Sequence, residues 1–243
     1  MMTKETTLRT LRAALEHEPR INLHRNPIHI AFRNSDLVLE GEVDNIAAKK
    51  LTLERAQTLD GVQRIVDLLR VQPAERRGDG AVRDTVCASL LREPTLRRCT
   101  IRARVKGALE TRRERGAEPA GEIVVTVENG VITLAGEAIS LSHMRLAEVL
   151  AWWAPGCCDV VNELKVVPAE DDNDDEITDA LGLVLEKDPL VHADQIRAST
   201  RAGIVTLQGL LGTEQERKMA ELDAWYIHGV RDVVNRIEVR LHA

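Results

Sequence analysis

The side chains best equipped for metal or nucleophilic chemistry are seven histidines (His17, His24, His29, His143, His192, His228, His242) and four cysteines (Cys87, Cys99, Cys157, Cys158). Their spacing supports neither chemistry. The cysteines have no CxxC spacing and no paired-histidine motif, so zinc is not expected, and Cys157-Cys158 reads as a core residue beside a surface thiol. No Gly-rich phosphate loop, GxSxG or HExxH segment is present. The run Glu170-Asp171-Asp172-Asn173-Asp174-Asp175-Glu176 lacks the glycine and the terminal bidentate-glutamate spacing of a calcium loop. It reads as a solvated, self-repelling linker that also offers helix-capping acids. The expectation is a protein that is not an enzyme and carries no metal or cofactor.

Binding chemistry is better represented. Phe32 and Tyr226 are the only Phe and Tyr, and the tryptophans are Trp152, Trp153 and Trp225, so the aromatics concentrate late in the chain. A basic segment precedes them, with Arg97, Arg98, Arg102, Arg104, Lys106, Arg112, Arg113 and Arg115 against only Glu110 and Glu114. Cations so clustered can hold anionic lipid headgroups or nucleic-acid phosphates. The segment has no aromatic to stack bases, which disfavours nucleic acid.

The elements that position these groups follow from a repeat. Gly41 and Gly61, Gly136 and Gly156, Gly209 and Gly229 form pairs with one constant interval. Before the first glycine stand Leu37-Val38-Leu39-Glu40, Ile132-Thr133-Leu134-Ala135 and Val205-Thr206-Leu207-Gln208. After the second come Val62, Cys157 and Val230, then Val66-Asp67, Val161-Asn162 and Val234-Asn235. Each copy opens with a helical stretch (7–18, 80–93, 176–188) ended by Glu18-Pro19, Glu93-Pro94 or Asp188-Pro189, because proline cannot continue a helix. Two strands follow, with Leu37/Leu39, Ile132/Leu134 and Val205/Leu207 on one face. A helix fills the interval between glycines and a last strand closes the copy. The first glycine suits a close backbone approach and the second a left-handed helix end. Asp67, Asn162 and Asn235 fall in phase with inward positions and are expected to bond nearby backbone.

The segment Val131-Ile132-Thr133-Leu134-Ala135-Gly136-Glu137, its counterparts, and Gly229-Val230-Arg231-Asp232-Val233-Val234-Asn235 together resemble the BON domain (bacterial OsmY and nodulation domain). The resemblance implies an α+β fold: three tandem small αββαβ domains, each a mostly antiparallel or mixed small sheet with two helices on one face. The boundaries read 1–73, 79–168 with an insertion at about 97–122, an acidic linker 169–176, and 177–243. It further implies a role in envelope maintenance or osmotic stress, with binding of anionic phospholipid.

Where the copies differ, function is sought. On the helix between glycines, Thr52/Ala56, Ala147/Ala151 and Ala220/Ala224 form a small-residue stripe facing the sheet. The remaining faces carry Leu51, Glu54, Arg55, Gln57 and Thr58 in the first copy, an ordinary wet surface. In the second they carry Leu146, Val149, Leu150, Trp152 and Trp153, and in the third Met219, Leu222, Asp223, Trp225 and Tyr226. A helix apolar nearly all round is buried against a neighbour or binds something, so Leu146, Val149, Leu150, Trp152, Trp153, Trp225 and Tyr226 are candidates for lipid or partner contact. The alternatives are self-assembly into a ring or filament through this helix, and ion or small-molecule sensing. The second copy also holds 29 residues from Pro94 to Ile123 where the first has 9 between Pro19 and Ile28. That surplus is either an extra hairpin or a split first strand. The N-terminus has no apolar signal region and no stretch is long enough to span a bilayer. A cytoplasmic protein, peripheral to membrane and homo-oligomeric, is expected.

Overall fold

The computed structural model describes residues 3–114 and 121–240. The chain divides into two compact units, residues 1–72 and 73–243.

In the first unit, helix α1 (Lys4–Glu16) is followed by strands β1 (His29–Arg33) and β2 (Asp36–Val43), helix α2 (Ile46–Gln57) and strand β3 (Ile65–Val71). β1 pairs antiparallel with β2, and β2 pairs parallel with β3, giving the order β1-β2-β3. Leu37 and Leu39 are fully buried with Leu11 and Leu15 of α1 and the stripe residues Thr52 and Ala56. Leu51, read above as part of a wet face, is buried as well.

The second unit holds two further copies of this topology. The first runs through helix α3 (Asp79–Arg92), strands β4 (Thr100–Val105), β5 (Ala108–Arg113), β6 (Glu122–Glu128) and β7 (Val131–Ala138), helix α4 (Leu141–Trp152) and strand β8 (Asp159–Val166). The other comprises helix α5 (Asp174–Lys187), strands β9 (Ile196–Arg201) and β10 (Ile204–Leu211), helix α6 (Glu214–Tyr226) and strand β11 (Asp232–Val239). Its sheet has the order β11-β10-β9, while the middle sheet has five strands in the order β5-β4-β6-β7-β8.

The surplus segment is thus an extra hairpin. β6 is the regular first strand, antiparallel to β7, and β4 lies parallel to β6 with Ile101 beside Ile123 and Ala103 beside Val125. Lys106 (φ 50°) and Gly107 (φ 88°) form the two-residue turn between β4 and β5, a left-handed pair that matches strand twist. Ile101 and Ala103 join the core with no exposure, whereas β5 is exposed along nearly its whole length.

Helix starts obey capping chemistry. Asn45, Ser140, Asn173 and Thr213 accept backbone N–H bonds at the starts of α2, α4, α5 and α6. The cap at Asn173 starts α5 at Asp174, so part of the supposed acidic linker is helix. Asp174, Asp175 and Glu176 occupy its first turn, where the helix dipole favours negative charge.

The first glycine of each pair lies against a neighbouring backbone. A Cβ on Gly136 would come within 2.2 Å of the Glu122 carbonyl oxygen, and one on Gly209 within 2.1 Å of that of Gln195. Gly61 and Gly229, expected at left-handed helix ends, instead lie in the turns beyond the Thr58 and Ile227 caps of α2 and α6, with φ of 87° and 89°.

Candidate interaction site

α4 is covered on several sides. Its stripe residues Ala147 and Ala151 are fully buried against the sheet, and Leu146, Val149, Leu150 and Trp152 are buried too. α3 packs along one flank, and α5 and α6 of the third copy pack along the rest. The Trp152 ring stacks on Tyr226 with centroids 5.6 Å apart. Trp153 donates its indole N–H to Asp223 Oδ1 at 3.1 Å. Trp225 is 1% exposed. The aromatic candidates therefore lie between or inside the second and third copies, and the helix face invoked above for self-assembly or lipid contact is occupied by the third copy.

Polar ties reinforce this junction. Arg145 of α4 has no exposed surface; its Nε donates to the His228 carbonyl at 3.0 Å and its Nη2 to Asp172 Oδ1 at 2.6 Å. Glu170 Oε2 accepts the Leu141 N–H at 2.7 Å, at the start of α4. The acidic segment is thus bound to α4 rather than merely solvated.

A second set of ties recurs at helix starts. Both Asp79 carboxylate oxygens accept backbone N–H bonds from the turn Asn129-Gly130, and those of Asp174 do the same for Ala202-Gly203. In the first copy Lys4 Nζ donates instead to the Asn34 carbonyl. Asn162 Nδ2 donates to the Met144 carbonyl and to Glu148, and Asn235 Nδ2 to the Arg217 carbonyl and to Glu221. Asp67 pairs with Lys49 at 3.0 Å and accepts the Leu69 N–H.

The acid preceding each proline is buried, and each copy treats it differently. In the first, Arg20 and Arg55 both bond Glu18; Arg20's hydrogen bond holds the carboxyl below its ordinary range against the cost of burial. In the second, Lys187 from α5 bonds Glu93 at 2.8 Å. Burial pushes the Glu93 carboxyl up, but Lys187 and the Thr95 donors outweigh it and keep it low. In the third, Asp188 faces another acid, Asp223, whose carboxyl is pushed up to about 8 by burial first and by Asp188 second.

The basic segment splits by role. Arg113 donates to the Cys99, Leu91 and Leu96 carbonyls and so ties β5 to the end of α3 and its following loop. Arg112 pairs with Asp84 and Glu110, and Arg102 with Glu122 at 3.1 Å. Arg97, Arg98, Arg104 and Lys106 are exposed, and beside the hairpin turn Leu109 is 48% exposed. Arg115 lies outside the described residues. The residue surplus between Pro94 and Ile123 was the sequence signal for an added segment, and the left-handed Lys106-Gly107 turn emerged only in the fold. Asp79, Asp174, Arg145 and the Asp188–Asp223 pair had none, since each partner stands far along the chain.

Cys87 and Cys99 are buried free thiols, and burial pushes Cys99 up to about 11. Cys157 is buried and Cys158 half-buried. Among the described residues no helix is long and apolar enough to cross a membrane, and no three His, Cys, Asp or Glu side chains are grouped to hold a metal ion.

The BON domain family model matches residues 4–73, 99–168 and 173–240. No curated protein matches the sequence. Two solved structures of CdsD, a structural protein of the type III secretion system of Chlamydia trachomatis, are 16% identical to this chain. The C-terminal-domain structure covers 99% of this chain and 100% of its own, and the other 96% and 91%. Both superpose with a TM-score of 0.25.

Proposed function

Since this chain belongs to the BON-domain family, in three tandem copies, we propose that it is a non-catalytic binding protein that docks on anionic phospholipid headgroups through the β4–β5 hairpin of its second copy. BON domains are associated with membrane and osmotic-stress proteins and with phospholipid binding. The observation that carries the reading is the exposure of Arg97 and Arg98 in the loop before β4 and of Arg104 and Lys106 at the turn end of the hairpin, where Leu109 is also exposed. Each cation near an anionic surface contributes about 1 kcal/mol. Four of them correspond to roughly millimolar binding by one molecule. The interaction is accordingly weak, reversible and sensitive to salt. The tryptophans support the second–third copy junction and are not part of the docking surface.

Co-sedimentation with vesicles of phosphatidylcholine alone or mixed with phosphatidylglycerol tests the proposal. Binding is expected only to the anionic vesicles at low salt. The variant carrying Arg97→Glu, Arg98→Glu, Arg104→Glu and Lys106→Glu is expected to lose it while keeping its tryptophan fluorescence. Wild-type protein that ignores anionic vesicles at low salt, or a charge-reversed variant that binds as before, would refute it.

A further inference from the structure

The acid before the proline meets a different residue in each copy, although the facing position is the same. Counted from the second glycine, that position is Arg55, Leu150 and Asp223. Arg55 neutralises Glu18; Leu150 leaves Glu93 to Lys187 of the next copy. Asp223 places a second carboxyl at the position from which Arg55 meets Glu18 in the first copy, and Asp188 adds to the rise of that carboxyl. Asp223 is wholly buried and Asp188 is 6% exposed.

One oxygen of each carboxyl is satisfied. Asp188 Oδ1 accepts the Leu190 N–H at 2.8 Å, and Asp223 Oδ1 accepts the Trp153 indole N–H. The other oxygen of each, Asp188 Oδ2 and Asp223 Oδ2, is buried without a partner. Two facing acceptors cannot bond each other as carboxylates, whereas a single proton held between them satisfies both. We propose that Asp188 and Asp223 share one proton and act as a pH-operated latch on the junction between the second and third copies.

The surroundings leave the pair to govern its own charge. From α3 and its end comes Glu93, which holds Lys187 of α5. α4 presents the neutral Trp153 and Leu150, with Glu148 near His228 farther along it. On α6, burial raises Tyr226 to about 12, with Asp223 and Cys157 adding to the rise, so it stays neutral. His192, after α5, is engaged by Glu216 at the start of α6. β10 and β11 face α6 with Leu207, Val233 and Ile237, and with Asn235 bonded to Glu221. Loss of the shared proton therefore leaves two charges in one buried site, with the neighbouring Lys187 already held by Glu93, and α6 is displaced from α4 at the Trp153 contact.

The sign follows from linkage. The Asp223 carboxyl is raised to about 8 in the closed junction, against about 3.9 when solvated. Closed protein then binds one more proton than open protein throughout that window, so closure is strongest in acid and weakens as pH rises towards 8. One proton corresponds to about a tenfold loss of protection per pH unit. The measurement is hydrogen-exchange protection of the α6 amides in the full chain between pH 5 and 8, with α2 amides of the first unit as reference. Relative to α2, protection of α6 is expected to fall about tenfold per pH unit in the wild type and to stay level in Asp223→Asn, which keeps an acceptor for Trp153. Asp223→Leu, which installs the side chain that the second copy carries at Leu150, provides an independent variant and the same expectation. A wild-type profile without the fall, or a fall that persists in whichever variant folds, overturns the latch.

Discussion

Arg145 stands at the same position of its copy as Lys50 and Lys218, counted from the second glycine. Burial separates the three: Arg145 has no exposed surface, Lys50 is half-buried and Lys218 is exposed. All three tryptophans lie in the second unit, so intrinsic fluorescence reports its unfolding alone. Arg145→Ala removes two bonds from a charged donor and is expected to destabilise the second unit by about 2 kcal/mol in urea titrations followed by fluorescence. The glycines divide at this scale as well. Gly136→Ala sets a methyl 2.2 Å from a carbonyl oxygen and is expected to cost more than about 3 kcal/mol, preventing normal folding. At Gly61 a Cβ meets nothing within 4 Å. Gly61→Ala should cost only about 1 kcal/mol, from its left-handed backbone, as read by thermal unfolding of residues 1–72. The recurring glycines were legible in the sequence because a backbone requirement falls on one residue. The role of Arg145 was not, because its partners Asp172 and His228 belong to other elements.

Among the elements, a helix start holds a hairpin turn in both copies of the second unit. Asp79 takes both N–H groups of Asn129-Gly130, a contact spanning about fifty residues of chain. Asp79→Ala strips these charge-assisted bonds and is expected to lower stability of the second unit by about 1–2 kcal/mol, measured by the same fluorescence-detected titration. Asp79→Asn should recover part of the loss, since its side-chain oxygen still accepts one bond. The apolar character of α4 was readable from Leu146, Val149, Leu150, Trp152 and Trp153. What covers it was not: hydrophobicity registers that a face leaves water, and any apolar partner satisfies it equally. The β4–β5 hairpin was half legible. The surplus between Pro94 and Ile123 marked an added segment, but chain length carries no information on which strand is its neighbour. The parallel pairing of β4 with β6 decided that.

For the whole molecule, the division into units predicts how fragments behave. Residues 1–72 and 73–243 are each expected to fold alone, as judged by circular dichroism and cooperative melting. A fragment of residues 169–243 loses Arg145, Trp153 and the stacking of Trp152 on Tyr226, and is expected to melt at a lower temperature than residues 73–243. Equal melting temperatures would show that the junction adds nothing to the third copy. The sequence by itself determined the three αββαβ copies, since glycine geometry, proline stops and strand alternation act over a few residues and are written locally. Tertiary structure alone decided that α4 and its tryptophans are shared between two copies, that the hairpin's arginines divide into anchors and exposed cations, and that Asp188 meets Asp223. Those outcomes depend on which surfaces meet across long stretches of chain, and burial then fixes the charge and availability of each group.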